Sequence, residues 1–286
     1  MKPASGKCAD LNDDSTAVHF ADLNGDGRAE YLWLAANGSV TGLLNLGGPG
    51  NGSDAAEISW LPQGTIAPSV GAKRRQVRFA DLNGDGRAEY IYVHDDSSAG
   101  AWLNLGGPDD GQNAAKVSWL AQGQIADGIG KDGDGVRFAD LNGDGRAEYL
   151  WVDNSTGAVT AYLNLGAPDD GPNAAKVSWL PQGVIATGVG VSHDNVIFAD
   201  INGDGRADYL TIDFATGALS AWINGGGPAN QSDAAKVVWY PQGVIATGVG
   251  TGGRGILLAD LNGDSRAEYL DVNPDTSAVN AWLNSC

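Results

Sequence analysis

A string of residues running Phe20-Ala21-Asp22-Leu23-Asn24-Gly25-Asp26-Gly27-Arg28-Ala29-Glu30-Tyr31 recurs at 79–90 and 138–149, and with small changes at 198–209 and 258–269. Its first aspartates, Asp22, Asp81, Asp140, Asp200 and Asp260, stand 59, 59, 60 and 60 residues apart. Two further strings keep the period. Ala161-Tyr162-Leu163-Asn164 is matched at 101–104, 221–224 and 281–284, and residues 176–183 are matched at 57–64, 116–123 and 236–243. A repeated unit buries its apolar face against the next copy of itself, so this period constrains the fold more than composition does. Residues 1–286 read as one domain of five units, without a separate linker.

Each unit reads as strands. Val77-Arg78-Phe79 alternates apolar and polar, Tyr149 to Val152 sets aromatics on one face and aliphatics on the other, and Val159 to Asn164 alternates again. Val177-Ser178-Trp179-Leu180 supplies a fourth candidate, and Gly, Pro, Asn and Asp fill the gaps as turns require. No segment has helical period and length. The expected fold is all-β: a five-bladed β-propeller with four-stranded blades of about 60 residues. A linear β-solenoid normally has shorter repeats.

The ends suggest how the ring closes. Trp60, Trp119, Trp179 and Trp239 each stand 21 residues before the next unit's first aspartate, while the fifth unit stops at Asn284-Ser285-Cys286. Counting back the same distance from Asp22 reaches Met1, and Cys8 then takes the register of Ala67, Ala126, Ala186 and Ala246. The N-terminal segment is therefore expected to complete the last blade, with a Cys8–Cys286 disulfide. The alternative is a chain cut from a larger propeller, with cysteines that meet by accident. A disulfide implies an oxidising setting, so the expected location is secreted and extracellular. The Asn-x-Ser/Thr sequons at Asn37, Asn51, Asn154 and Asn230 fit that setting.

Composition excludes several partners. The net charge of −18 repels phosphate backbones, which argues against nucleic acid, and the same sign argues against anionic lipid. No apolar run is long enough for a membrane helix, so no membrane insertion is expected.

Much of the acid sits in the repeated loops 22–30, 81–89, 140–148, 200–208 and 260–268. Oxygen side chains occupy positions 1, 3, 5 and 9: Asp22, Asn24, Asp26 and Glu30; Asp81, Asn83, Asp85 and Glu89; Asp140, Asn142, Asp144 and Glu148; Asp200, Asn202, Asp204 and Asp208; Asp260, Asn262, Asp264 and Glu268. Arg28, Arg87, Arg146, Arg206 and Arg266, at position 7, would each add a backbone carbonyl. Odd positions of a tight loop converge, and calcium takes six to eight such oxygens. A solvated Asx turn would need fewer carboxylates. Three carboxylates in nine residues repel one another without a cation. About five structural Ca²⁺ ions are expected; magnesium demands stricter octahedral geometry. Position 12 is Trp33, Tyr92, Trp151, Thr211 or Asp271, so this is no EF-hand. Loop five, with Ser265 in place of glycine, is expected to be the poorest site.

These loops, Asp-x-Asn-x-Asp-Gly-x-x-Glu/Asp between strands, resemble FG-GAP/VCBS repeats, the calcium-binding blades of integrin α-type propellers. The resemblance covers essentially the whole chain. Fungal lectins built of such blades carry sugar sites between them, and similar units occur as non-catalytic modules of secreted fungal hydrolases. The resemblance implies glycans or glycoproteins as partners. The alternative is a protein-interaction or spacer module of a secreted hydrolase.

Catalysis finds little support in the sequence. His19, His94 and His193 occupy different repeat positions, and no nucleophile elbow, phosphate loop or zinc cluster is present. Asp109-Asp110 and Asp169-Asp170 lie in turn-like Pro-Asp-Asp-Gly strings. The expected ligand-binding residues are the third-strand pairs Trp102/Asn104, Tyr162/Asn164, Trp222/Asn224 and Trp282/Asn284, which alternation sets on one face. An aromatic ring can stack on a sugar while an amide bonds its hydroxyls. Packing between blades is the competing role for such aromatics. The first unit has Leu43/Asn45 there.

Overall fold

The computed structural model describes residues 17–48, 58–107, 117–166, 177–227, 237–250 and 252–285. Residues 1–16 and 286 lie outside them, so the expected closing segment and the Cys8–Cys286 disulfide do too. The same holds for Asn51, Asn230 and the Asp109-Asp110 and Asp169-Asp170 strings, while Asn37 and Asn154 are exposed.

Five antiparallel sheets are arranged as the repeat demands. Blade one holds β1 (Val18–Ala21), β2 (Glu30–Leu34), β3 (Val40–Asn45) and β4 (Trp60–Ala67). Blade two holds β5 (Val77–Ala80), β6 (Glu89–Val93), β7 (Ala99–Asn104) and β8 (Trp119–Ala126). Blade three has β9 (Val136–Ala139), β10 (Glu148–Val152), β11 (Val159–Asn164) and β12 (Trp179–Ala186). Blade four has β13 (Val196–Ala199), β14 (Asp208–Ile212), β15 (Leu219–Asn224) and β16 (Trp239–Ala246). Blade five shows β17 (Ile256–Ala259), β18 (Glu268–Val272) and β19 (Val279–Trp282) among the described residues. Single 3₁₀ turns such as Arg74–Gln76 lead into four of the first strands.

Alternation sets what each strand buries. In β2, Glu30, Leu32 and Leu34 are buried while Tyr31 and Trp33 are half-buried. The core lies between blades: Leu32, Leu34 and Val40 of blade one pack with Val77 and Tyr90 of blade two. Ile91, Val93 and Ala99 then pack with Val136 and Tyr149. Each blade thus supplies half of two interfaces, which is why one unit cannot fold alone.

The ring closes through bonds that repeat in every blade. The N–H groups of Ala29, Ala88, Ala147, Ala207 and Ala267 donate to the carbonyls of Asp260, Asp22, Asp81, Asp140 and Asp200, at 2.7–2.8 Å. Each bond runs from one blade to the one before it, and the first returns to blade five. The hydroxyls of Tyr31, Tyr90, Tyr149, Tyr209 and Tyr269 repeat the circuit, donating to the carbonyls of Ser277, Gly38, Ser97, Gly157 and Gly217. Among the described residues, these bonds and the contact of β1 with β17 join blade five to blade one.

Candidate metal centres

The carboxylate loops join the first and second strands of each blade. Their backbone is shaped by the first aspartate: Asp22 Oδ1 accepts the N–H groups of Asn24 (3.1 Å) and Gly25 (2.7 Å), and Oδ2 accepts that of Gly27 (2.7 Å). Asn24 Oδ1 accepts from Asp26 N, and Asp26 Oδ1 from Arg28 N, each at 2.9 Å. Gly25 and Gly27 have φ of 78° and 84°, the left-handed region that glycine enters without a Cβ penalty. Ser265 replaces the second of these glycines in loop five and takes the same conformation, φ 69°. Its N–H still reaches Asp260 Oδ2 at 2.7 Å. The expected defect in loop five is therefore absorbed as local strain, and the loop keeps its shape.

In loops one, two and five the three carboxylates converge. One oxygen from each of Asp22, Asp26 and Glu30 lies within 4.8 Å of the other two, and the same is true of Asp81, Asp85 and Glu89, and of Asp260, Asp264 and Glu268. Such clusters could hold a metal ion. The last carboxylate gives the sharper test of fit. Glu30 Oε2 accepts from Leu23 N at 2.6 Å, but Oε1 is buried without a hydrogen-bond partner. The N–H of Asn45 exerts the weakest pull on this carboxylate and closes no bond to Oε1. Glu89, Glu148 and Glu268 repeat the orphaned Oε1. Burial first, then the nearby Asp22 and Asp26, push Glu30 up to about 8. Glu89 and Glu148 are likewise pushed up to about 8, and Glu268 to about 7. A buried, unpaired carboxylate oxygen beside two other carboxylates is a site that a cation completes.

Loop four is the exception. Asp208 is one methylene shorter, and both of its oxygens are engaged: Oδ2 accepts from Ile201 N (3.1 Å) and Oδ1 from Asn224 N (2.8 Å). It is pushed up only to about 6, mainly by burial. Loop four thus leaves no oxygen of its last carboxylate without a partner, whereas loop five, which the sequence expects to be the poorest site, keeps its three carboxylates together.

The position-7 arginines do more than offer a carbonyl. Arg28, Arg87, Arg146 and Arg206 donate through Nη2 to the position-5 aspartates Asp26, Asp85, Asp144 and Asp204 at 2.5–3.1 Å. Their stems also lie over the previous blade's loop. A Cβ on Gly263 would come 3.3 Å from Arg28 Cγ, and one on Gly25 would come 3.4 Å from Arg87 Cγ. In loop five Arg266 instead donates to Asn202 O of blade four. Alternation along the sequence gives no sign of this strap, because it crosses between repeats.

The third-strand amides take a different role from the one expected. Asn104, Asn164 and Asn224 are buried, and each Nδ2 donates to a carbonyl of the previous blade's loop: Leu23, Leu82 and Leu141, all at 2.9 Å. Their Oδ1 atoms accept from Gly106, Gly166 and Gly226. Asn45 and Asn284 bond Leu261 O and Ile201 O in the same way. These amides clamp neighbouring loops and hold no free donor for a sugar hydroxyl. Trp102, Tyr162 and Trp222 pack edge-on against Tyr90, Tyr149 and Tyr209 within the inter-blade cores. Trp282 packs edge-on against Tyr269 in the same way and is 44% exposed in blade five, whose described strands end at the third.

The sequence reading missed a platform next to it. Tyr240 stands where the other complete blades have Leu61, Leu120 and Leu180, and is 53% exposed. Its ring lies over Gly225, where a Cβ would come 2.2 Å from Tyr240 Cε2. The equivalent positions are Leu46, Leu105 and Leu165, so the leucine-to-glycine and leucine-to-tyrosine changes come as a pair. Tyr240 and Trp282 are the exposed aromatics among the described residues. At the junctions of blades one to four an indole is bound: Trp119, Trp179 and Trp239 donate to Ile66 O, Ile125 O and Ile185 O at 2.7–2.9 Å. Those isoleucines are buried.

Blades repeated around a ring, each with an acidic loop between its first two strands, define a class that the family comparison identifies. The FG-GAP-like repeat matches residues 22–92, 81–151, 140–211 and 200–270, and the chain belongs to that family. No curated protein matches the chain by sequence. Among solved structures, an Agrocybe aegerita lectin described as recognising non-reducing terminal N-acetylglucosamine is 17% identical, with a TM-score of 0.43. The alignment covers 95% of this chain and 63% of that one. The Photorhabdus luminescens Tc holotoxin pore is 17% identical with a TM-score of 0.46, over 96% of this chain and 14% of that one. A TcdB2-TccC3-Cdc42 complex is 16% identical with a TM-score of 0.48, over 97% and 15%.

Proposed function

We propose that the protein is a secreted, non-catalytic propeller that binds carbohydrate and is stiffened by Ca²⁺ in its carboxylate loops. Flexible six-to-eight-coordinate oxygen geometry suits calcium better than the strict octahedron of magnesium. Asp, Asn, Asp and Glu side chains at positions 1, 3, 5 and 9 would hold the ion, together with the position-7 carbonyl. The ion supplies positive charge where the orphaned Glu oxygens now have no partner. Each loop also accepts two bonds from the next blade, at its first and second carbonyls. A loaded loop would therefore stiffen a blade interface as well as itself.

The observation that supports carbohydrate is the paired departure at Gly225 and Tyr240 of blade four, which lays an aromatic ring over a residue without a side chain, on the side that faces Trp282 in the third strand of blade five. The register that sets Trp222 against blade three sets Trp282 against blade four. Tyr240, on the opposite face of β16 from Trp239, faces blade five. A ring seated on glycine leaves its other face to stack on the apolar face of a sugar. This narrows the expected sites between all blades to one junction. A glycan array, run with calcium and with chelator, tests the reading. Binding by the native protein that falls about tenfold or more in Tyr240→Ala, a loss of roughly 1.4 kcal/mol, is the expected result. Absence of binding to any glycan would favour the protein-interaction or spacer reading.

A further inference from the structure

The first strands of neighbouring blades touch around the axis, and their second residues form a belt: His19, Arg78, Arg137, Ile197 and Leu257. The residues on either side scarcely change from blade to blade, whereas this position runs from basic to apolar around the ring. All five side chains are half-buried. Arg78 donates to the carbonyls of Val136 (Nε, 3.2 Å), Arg75 (Nη1, 2.6 Å) and Val77 (Nη1, 3.0 Å), and its Nη2 has no bond. Arg137 donates through Nη1 to Asp134 O (2.6 Å) and Val136 O (3.0 Å), and through Nη2 to His193 O (3.0 Å). Among the described residues, neither guanidinium has a carboxylate within ion-pair distance. Asp194, Asp134 and Asp132 lie near Arg137 and partly offset its charge, but each is in closer contact with another group: Asp134 with Arg75 at 2.5 Å, Asp194 with His193 Nδ1 at 2.9 Å, and Asp132 with Gly135 N at 3.0 Å. His19 Nε2, next in the belt, is buried without a partner. Burial, then the like charges of Arg137 and Arg75 against the partial offset of Asp134, pushes Arg78 down to about 9.

We infer that this belt binds a small carboxylate anion carrying a short apolar chain. The carboxylate would take the open Nη2 of Arg78 and the positive side formed with Arg137, and the chain would lie toward Ile197 and Leu257. Backbone carbonyls orient both guanidinium groups without pairing either to a carboxylate, and an anion there would be held by charge-assisted bonds. No bond is made or broken, so nothing beyond binding is required.

The protein itself supplies the control. Ile and Leu already occupy this position in blades four and five, so Arg78→Ile and Arg137→Leu remove charge with side chains the ring accepts. Isothermal titration of calcium-loaded protein uses hexanoate as probe, with sulfate and butanoate for comparison. One hexanoate per chain is expected, bound more tightly than butanoate or sulfate. The double variant should weaken it by about tenfold or more while keeping its circular dichroism, and the single variants should each weaken it less. No heat with the native protein, unchanged affinity in a folded double variant, or sulfate binding as well as hexanoate would overturn the assignment. Should the double variant fail to fold, undiminished binding in both folded single variants would overturn it equally.

Discussion

In blade one the carboxylate loop ends in Glu30, and in blade four it ends in Asp208. The two loops share their first carboxylate's bonds to the backbone, their position-5 aspartate and their arginine strap. One methylene separates them, and it changes the electrostatics. The longer side chain gives one oxygen to Leu23 N and buries the other without a partner, while the shorter one bonds backbone with both. A repeated motif can therefore hold two kinds of loop. One kind is left incomplete without a cation, and the other largely satisfies itself.

Removing calcium from the whole protein should have the largest effect. Several bound ions each contribute a few kcal/mol when well above their dissociation constants, so chelation should lower the melting temperature by about 10 °C or more. Differential scanning calorimetry with and without chelator is the check. An unchanged midpoint would erase the distinction between the loops.

A smaller, pH-dependent effect should appear in the ion-free protein. Burial raises the folded pKa values of Glu30, Glu89 and Glu148 from 4.5 to about 8, so the folded state binds more protons than the unfolded one between those values. The stabilisation is complete below the unfolded pKa and is lost as pH rises through the folded one. The chelated protein should melt higher at pH 5 than at pH 8.5, and calcium should weaken or reverse that order because protons then compete with the ion. A chelated protein that is more stable at the higher pH would contradict the burial of those carboxylates.

Exchanging the last carboxylates sharpens the comparison directly. Glu148→Asp should weaken blade three's ion by about tenfold, and Asp208→Glu should strengthen blade four's by a similar factor, roughly 1.4 kcal/mol each. Calcium titration of the two variants reads both changes. The smallest effect concerns loop five. Ser265→Gly relieves a left-handed serine and should stabilise the protein by about 1 kcal/mol, a shift of a few degrees or less.

The blade period and the carboxylate loops could be read from the sequence because each recurs five times at one spacing. Roles that cross between blades could not. Alternation along β7 shows that Asn104 and Trp102 share a face, but not that Leu23 O waits there for the amide. The Tyr240 platform was visible only as a paired departure from leucine at 225 and 240.

The central claim is that buried, orphaned carboxylate oxygens mark the loops that take an ion. Native mass spectrometry of the folded protein, titrated with calcium, counts those ions one by one. The account predicts four ions retained together, in blades one, two, three and five, and a fifth bound only at higher calcium. It also predicts that Asp208→Glu moves the fifth into the tight set. A folded protein that carries no calcium at any stage, or that fills blade four as tightly as the rest, would contradict it.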